Sequence, residues 1–324
     1  MRRFLLARGA QALVVIALVA TFTFALVHLA PGDPFGASLD DPSNSAALHA
    51  QEMHQWGYDQ DLVVQYAKWL GNLVRGDFGW SHSRHRRVAE VLIETVPRTL
   101  LLMGTALLAG VVAGLALGTW QAARRGTVAE RASNAVTIAA LSLPEFLVAL
   151  AALALPAARW HWFPVSGMTD PVLHLSMNSL ERALDLIRHL ALPAGTLALL
   201  TTAAVSRHHR SAMLTVLPEE FIRTARAKGA GEFVTLVRHA LRNALGPFTT
   251  IVGLRLPALF GGAVFVETVF DWPGIGRMMV DAATGNDYPL VLAGVIVGSA
   301  LVAVGGALAD VLAALADPRV RIDG

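Results

Sequence analysis

Six apolar runs, each about 20 residues or longer, limit what this chain can fold into more than any other feature. They are Gly9 to Ala30, Pro97 to Trp120, Ser133 to Ala157, Leu190 to Met213, Pro247 to Val269 and Tyr288 to Ala316. A helix of about 20 apolar residues crosses the ~30 Å hydrocarbon core of a bilayer, and buried helices of soluble domains rarely sustain such runs. With 54% hydrophobic and only 15% charged residues among 324, the chain is too apolar for an ordinary soluble domain of its size. The pattern predicts an all-α integral membrane protein with six transmembrane helices.

An even number of spans puts both termini on one side, and the basic residues choose that side. Arg2, Arg3 and Arg8 precede the first span, and Arg124, Arg125 and Arg131 crowd the second connection. Arg207, Arg210, Arg223, Arg226, Lys228, Arg238 and Arg242 fill the fourth, and Arg319 and Arg321 close the chain. These are the faces that the positive-inside rule assigns to the cytoplasm, which gives an N-in, C-in topology. The long connection 31–96 and its end carry Lys68, Arg75, Arg84, Arg86, Arg87 and Arg98 against that rule, but long connections cross regardless of charge. The N-terminus has the basic-then-apolar order of a secretory signal. Its apolar run exceeds the usual ~7–15 residues, and the small-residue site at Ala30 is followed by Pro31, so an uncleaved first span is expected.

Residues 1–324 thus read as one transmembrane domain, with an extracytoplasmic region 31–96 and a cytoplasmic loop 214–246. The net charge of +2 lies mainly in the cytoplasmic loops and speaks for topology, not for nucleic-acid binding. Cysteine is absent, which excludes disulfides and thiolate metal sites.

The chain shows no means of doing chemistry by itself. Its two lysines, Lys68 and Lys228, sit in no phosphate-binding loop, so ATP hydrolysis by this chain is not expected. There is no His-Glu-x-x-His and no Gly-x-Ser-x-Gly elbow. His82 and His85, beside Ser81 and Arg84, lack a carboxylate at metal-ligand spacing and read as a solvated polar loop. No catalytic or metal-binding residues are assigned.

The stretch from Glu219 to Pro247 is basic and helix-patterned, as a docking element on the cytoplasmic side would be. Arg223, Thr224, Ala225, Arg226, Ala227 and Lys228 are mostly good helix formers, and Gly229 suits a left-handed cap. A second helix, Glu232 to Leu245, is expected to present Phe233, Leu236, Val237, Ala240 and Ala244 on one face.

This loop, with Arg238, His239, Ala240, Leu241, Arg242, Asn243, Ala244, Leu245 and Pro247, resembles that of permeases of binding-protein-dependent ABC importers, specifically the dipeptide/oligopeptide/nickel branch. The generic importer signature has Glu-Ala-Ala, three residues, then Gly. Here Arg223, Thr224 and Ala225 take the first places and Gly229 the last, as in the peptide-type branch. Further matches run in order along nearly the whole chain: His28 to Pro34, Asp61 to Trp69, Arg75 to Gly79, Ser142 to Pro144 with Phe146, Phe163 to Gly167, Glu267 to Gly276, Asp287 to Pro289 and Asp317 to Arg319.

The resemblance implies half of the channel of an importer for di- or oligopeptides in the bacterial inner membrane. A second homologous permease, two cytoplasmic ATPases that bind ATP and Mg, and an extracytoplasmic binding protein would complete it. Arg223 to Gly229 would couple to the ATPase, the small residues letting the backbone sit close and the cations pairing with acidic groups. Glu267, Phe270, Trp272, Pro273, Gly274 and Gly276 would lie at the periplasmic mouth. Asp61 to Leu73, with Tyr66 and Trp69 suited to a membrane interface, and His161 to Met168 are candidate contacts for the binding protein. A nickel or other small-solute importer, a non-transporting receptor or scaffold for an ATPase, and a lone secondary transporter are the alternatives.

Two departures from the family pattern are charges inside spans, Glu145 and Arg255. Each costs at least about 2.5–3.5 kcal/mol there unless paired or wetted. Counted along straight helices at about 1.5 Å per residue, Glu145 lies roughly 18 Å deep and Arg255 roughly 12 Å. Both are expected to face the translocation path, pairing with each other or meeting the termini of a peptide-like solute. Separate polar contacts to other helices are the plain alternative. The second span's Gly110, Gly114 and Gly118, four apart, read as a packing stripe. Pro144 and Pro156 are expected to kink or end the third span.

Overall fold

Helices dominate, as the apolar runs require. The structure is a computed structural model, and it describes residues 2–29, 60–245, 259–261 and 263–316. The helices are α1 (Arg2–Leu29), α2 (Leu62–Val74), α3 (Val88–Ala123), α4 (Val128–Ser142), α5 (Glu145–Ala152), α6 (Ser179–Val216) and α7 (Glu220–Ala227). Next come α8, which is α-helical over Glu232–Val234, π-helical over Thr235–Leu241 and α-helical over Arg242–Ala244, then α9 (Ile275–Thr284) and α10 (Tyr288–Ala316). A short antiparallel hairpin pairs β1 (Trp80–Ser81) with β2 (Arg86–Arg87).

Among the described residues, four helical stretches are long and apolar enough to cross a bilayer: Ala7–Leu26, Val88–Ala123, Ser179–Val216 and Tyr288–Ala309. Val88–Ala123 and Ser179–Val216 contain the expected second and fourth spans, and the other two stretches overlap most of the expected first and sixth. Helix α3 begins well before Pro97, which lies inside it, because the polar turns around Glu90 and Glu94 carry no apolar signal yet continue the same helix. Of the expected fifth span, 259–261 and 263–269 are described and helical, while 247–258, including Arg255, lies outside the described residues.

The expected third span is not one straight helix, and the break falls at Pro144, one of the two prolines expected to kink or end it. Val128–Ser142 and Glu145–Arg159 meet at a bend of 107°. Its cause is local: the residue before a proline is pushed out of the helical region, and Leu143 before Pro144 has φ −84° and ψ 134°. Farther along, Pro156 is accommodated without a break by the π-helical segment Leu153–Arg159, whose wider turn tolerates the missing N–H.

The chain divides into two compact units. One comprises 1–9, 100–273 and 304–324; the other 10–99 and 274–303. In the first, Leu102, Met103 and Ala106 of α3 pack with Leu190, Ala194 and Leu197 of α6, and with Val266, Phe270 and Trp272. The glycine stripe brings α3 onto α6: a methyl on Gly110 would lie 2.6 Å from Thr201 Cβ, and one on Gly114 2.6 Å from Val205 Cβ. On Gly118 it would lie 2.7 Å from the Ser206 carbonyl oxygen, so the stripe is a packing seam as expected.

In the second unit, Phe24 of α1 stacks near Tyr66 and Trp69 of α2, each at 5.3 Å between ring centroids. Thr21 Oγ1 and the Tyr66 hydroxyl lie 2.7 Å apart. The aromatic pair expected at a membrane interface is therefore taken up by α1. The hairpin expected as a solvated loop is likewise anchored: buried Asp287 accepts from the Ser81 and Ser83 hydroxyls and from the Ser83 N–H, while its other oxygen accepts from Leu290 N–H at the start of α10.

Gly114→Ala is expected to lower stability by about 1–3 kcal/mol through overpacking. Gly104→Ala, in the same helix with open space at its Cβ, should raise it by about 0.4–1 kcal/mol. Thermal unfolding in detergent checks both, and midpoints moving in the same direction would refute the packing reading of the stripe.

Candidate functional site

The segment with the clearest local design is α7 and the turn after it. Glu219 precedes the helix, and Lys228 closes it. Gly229 adopts φ +85°, as expected of a left-handed cap. Its N–H donates to the Arg226 carbonyl (2.9 Å) and the Ala230 N–H to the Ala225 carbonyl (3.1 Å), the paired bonds of a Schellman turn. A β-carbon at Gly229 would meet nothing within 4 Å, so the demand for glycine is conformational and not steric.

The rod has two faces. Ile222 is fully buried and Ala225 nearly so. Ile222 packs with Ala122 of α3, Met213 of α6, and Ala240 and Ala244 of α8. Ala225, expected to let a partner approach, is thus turned toward its own chain. The exposed face carries Arg223, Thr224, Arg226, Ala227, Lys228 and Phe221, which is 41% exposed. Two of the cations are engaged within the chain: Arg223 with Glu220 at 2.8 Å and Arg226 with Glu232 at 2.9 Å. Such exposed pairs contribute little energy, so both guanidinium groups remain exchangeable. Phe221 was not singled out in the sequence because one aromatic beside a buried Ile at the next position shows no face.

Helix α8 corrects a second expectation. Phe233 is 78% exposed and Val237 42%, whereas Thr235, Ala240 and Ala244 are buried. The π-helical stretch is the reason: its wider turn aligns residues five apart, so Thr235 and Ala240 share the inner face.

Glu145 is half-buried in the first turn of α5, immediately after the break. A depth counted along a straight third span does not apply to it, because the chain changes direction by 107° just before it. What the bend places there is a carboxylate at a helix N-terminus, where the helix dipole favours negative charge.

Most of the residues singled out in the run Glu267 to Gly276 are buried, while Thr268 and Asp271 between them are exposed. Glu267, Phe270 and Trp272 are at most 2% exposed, Gly274 and Gly276 are buried, and Pro273 is half-buried. Trp272 N–H donates to the Glu267 carbonyl at 2.8 Å, and the turn passes through Asp271 at φ +58°. Gly167 N–H donates to the Phe270 carbonyl at 2.9 Å, so the structure brings together two segments picked out separately in the sequence, Phe163 to Gly167 and Glu267 to Gly276. A groove of about 1220 Å³ lies beside the first of these, between the loop and the opening turns of α6, lined in part by Trp162, Phe163, Leu173, Asp185 and Arg188. Buried Asp185 holds the loop there by accepting the Asp170 N–H at 2.9 Å. Backbone N–H groups of Leu173 and Val172 hold the Asp170 carboxyl below its ordinary pKa. Among the described residues no group of three or more His, Cys, Asp or Glu side chains is placed to hold a metal ion.

Ile222→Ala is expected to cost about 2–5 kcal/mol, as for other buried aliphatic truncations. Phe221→Ala, on the exposed face, should stay within about 0.5 kcal/mol. Unfolding midpoints of the two variants in detergent distinguish the faces, and equal losses would contradict the two-sided description.

Comparison with known proteins adds relatives along the whole chain. Residues 110–322 match the family described as binding-protein-dependent transport system inner membrane component, and residues 1–103 match the corresponding N-terminal family. The oligopeptide transport system permease protein AppB of Bacillus subtilis (strain 168) is 36% identical over 321 residues, covering 99% of each chain. The dipeptide transport system permease protein DppB of Escherichia coli (strain K12) is 31% identical over 336 residues, again 99% of each. Among solved structures, an inward-facing conformation of the MetNI methionine ABC transporter aligns with a TM-score of 0.53 at 18% identity, over 70% of this chain and 96% of that one, a likeness of fold. This chain therefore belongs to the family of binding-protein-dependent transport system inner membrane components.

Proposed function

We propose that this chain is one permease half of an ATP-driven importer for di- or oligopeptides. The observation that carries the solute class is full-length similarity, at 31–37% identity, to permeases named for oligopeptides, di- and tripeptides, and dipeptides. The complete span count is six, with both termini in the cytoplasm. This is supported by four single helices of spanning length, one bent pair and an apolar helix in 259–269, together with the distribution of arginines.

In this reading α7 seats in a pocket of a cytoplasmic ATPase, one per permease, and a second homologous permease completes the channel. ATP and Mg belong to the ATPases, and an extracytoplasmic binding protein delivers the solute. The two-faced build of α7 supports the role. Its inner face is welded to the ends of α3, α6 and α8, so force on its outer face passes to helices of spanning length. The outer face offers Phe221, Thr224 and Lys228 together with the exchangeable Arg223 and Arg226. Glu145 and Arg255 are retained as candidates for the translocation path, and the Glu267 to Gly276 turn as a packed frame of the periplasmic mouth.

Uptake of labelled dipeptides by a strain lacking only this chain is expected to return when the chain is restored. Return of nickel uptake alone would overturn the peptide assignment in favour of the small-solute alternative. Gly229→Leu forces a side chain into the left-handed region at a cost of about 1–2 kcal/mol. It should leave the protein in the membrane while uncoupling ATP hydrolysis from transport. Unchanged substrate-stimulated ATPase activity in the reconstituted variant would remove α7 from the coupling role.

A further inference from the structure

Glu130 is a buried carboxylate to which the mechanism above gives no task. It lies in the first turn of α4 and is 4% exposed. Its own N–H donates to Thr127 Oγ1 at 3.2 Å, which caps the helix. Its Oε1 accepts from Arg210 Nε at 3.0 Å and lies 2.8 Å from Arg210 Nη2, while Oε2 accepts the Gly126 N–H at 3.3 Å. One side chain thus joins the turn before α4, the start of α4 and the last third of α6.

Stability is a poor reason for such a pair. Desolvating two charges offsets most of their attraction, and apolar residues of similar volume often serve the fold as well or better. Its location supplies another reason. Arg210 lies three residues before Met213, on the same face of α6, and Met213 is fully buried in the cluster that holds Ile222 of α7. In the other direction, α4 runs from Glu130 to Ser142, where the chain breaks and Glu145 begins α5. The Glu130–Arg210 contact therefore stands between the anchored face of α7 and the bent helix pair. Nearby, Gln121 Nε2 donates to Ser133 Oγ at 2.8 Å, but that bond is neutral and leads to α3 instead.

We propose that Glu130 and Arg210 are positioning residues that make α7, the end of α6 and α4 move as one body, so that displacement of α7 by the ATPase reaches the break at Leu143 and Pro144. The proposal rests on the reading of α7 as the ATPase-coupling helix. It assigns to α4 and α5 the part of the channel wall that answers to nucleotide.

The test uses the permease assembled with its partner permease and ATPases in proteoliposomes, with the cognate binding protein added as purified. The quantity read is the ratio of binding-protein-stimulated to basal ATP hydrolysis, which a loss of folded protein alone does not move. Glu130→Gln and Arg210→Met are each expected to lower this ratio about 2- to 30-fold, the range seen when coupling between sites is weakened. The double variant should fall no further than the worse single, because both remove the same link. If the neutral variants do not assemble, Glu130→Asp keeps the charge but withdraws it by one methylene, and its ratio is read instead, with a fall of at least about twofold expected. A ratio unchanged in the assembled variants, or a double loss equal to the product of the singles, overturns the proposal. A wild-type complex that the binding protein does not stimulate would instead overturn the functional reading beneath it.

Discussion

The close approach of α3 and α6 is the constraint from which the larger unit is built. In a bilayer the hydrophobic effect does not drive helices together, so association depends on how near the backbones come. Gly110, Gly114 and Gly118 let α3 lie against Thr201, Val205 and Ser206 without intervening side chains. The same seam sets the positions of the two clusters at its ends. Near one end the larger helices enclose Phe270 and Trp272, and near the other Ala122 and Met213 receive Ile222.

That second cluster gives a short helix mechanical meaning. Alone, the eight residues of α7 would be far too few to stay helical in water, and their order comes from tertiary burial and from caps. Burying Ile222 and Ala225 while leaving Phe221 and the cations outside packs one face of α7 against the ends of α3, α6 and α8 and leaves the other exposed. A loop that was only basic would have no such division.

Legibility in the sequence followed the physics of each element. Long apolar runs were readable because the bilayer leaves them no other solution, and four of them appear as helices of spanning length. The cap at Gly229 was readable because only a residue without Cβ adopts φ +85° at no cost. The bend at Leu143 and Pro144 was legible as a breaker but not as an angle of 107°, since a proline states where a helix stops and not where the chain goes next. The inner face of α8 was misread because a π-helical stretch follows a different period from the one used to assign its faces. The anchoring of Ser81 by Asp287, far apart in the chain, had no local signal at all.

The amino-acid sequence by itself determined the class of the molecule: helical and embedded in a membrane. Those properties depend on composition and on contacts a few residues apart, which the chain states directly. Only the tertiary structure decided which face of α7 is exposed, that Glu267, Phe270 and Trp272 are buried, and that Glu130 reaches Arg210. Those outcomes depend on which helices lie side by side, a matter settled by packing between segments that the sequence holds far apart.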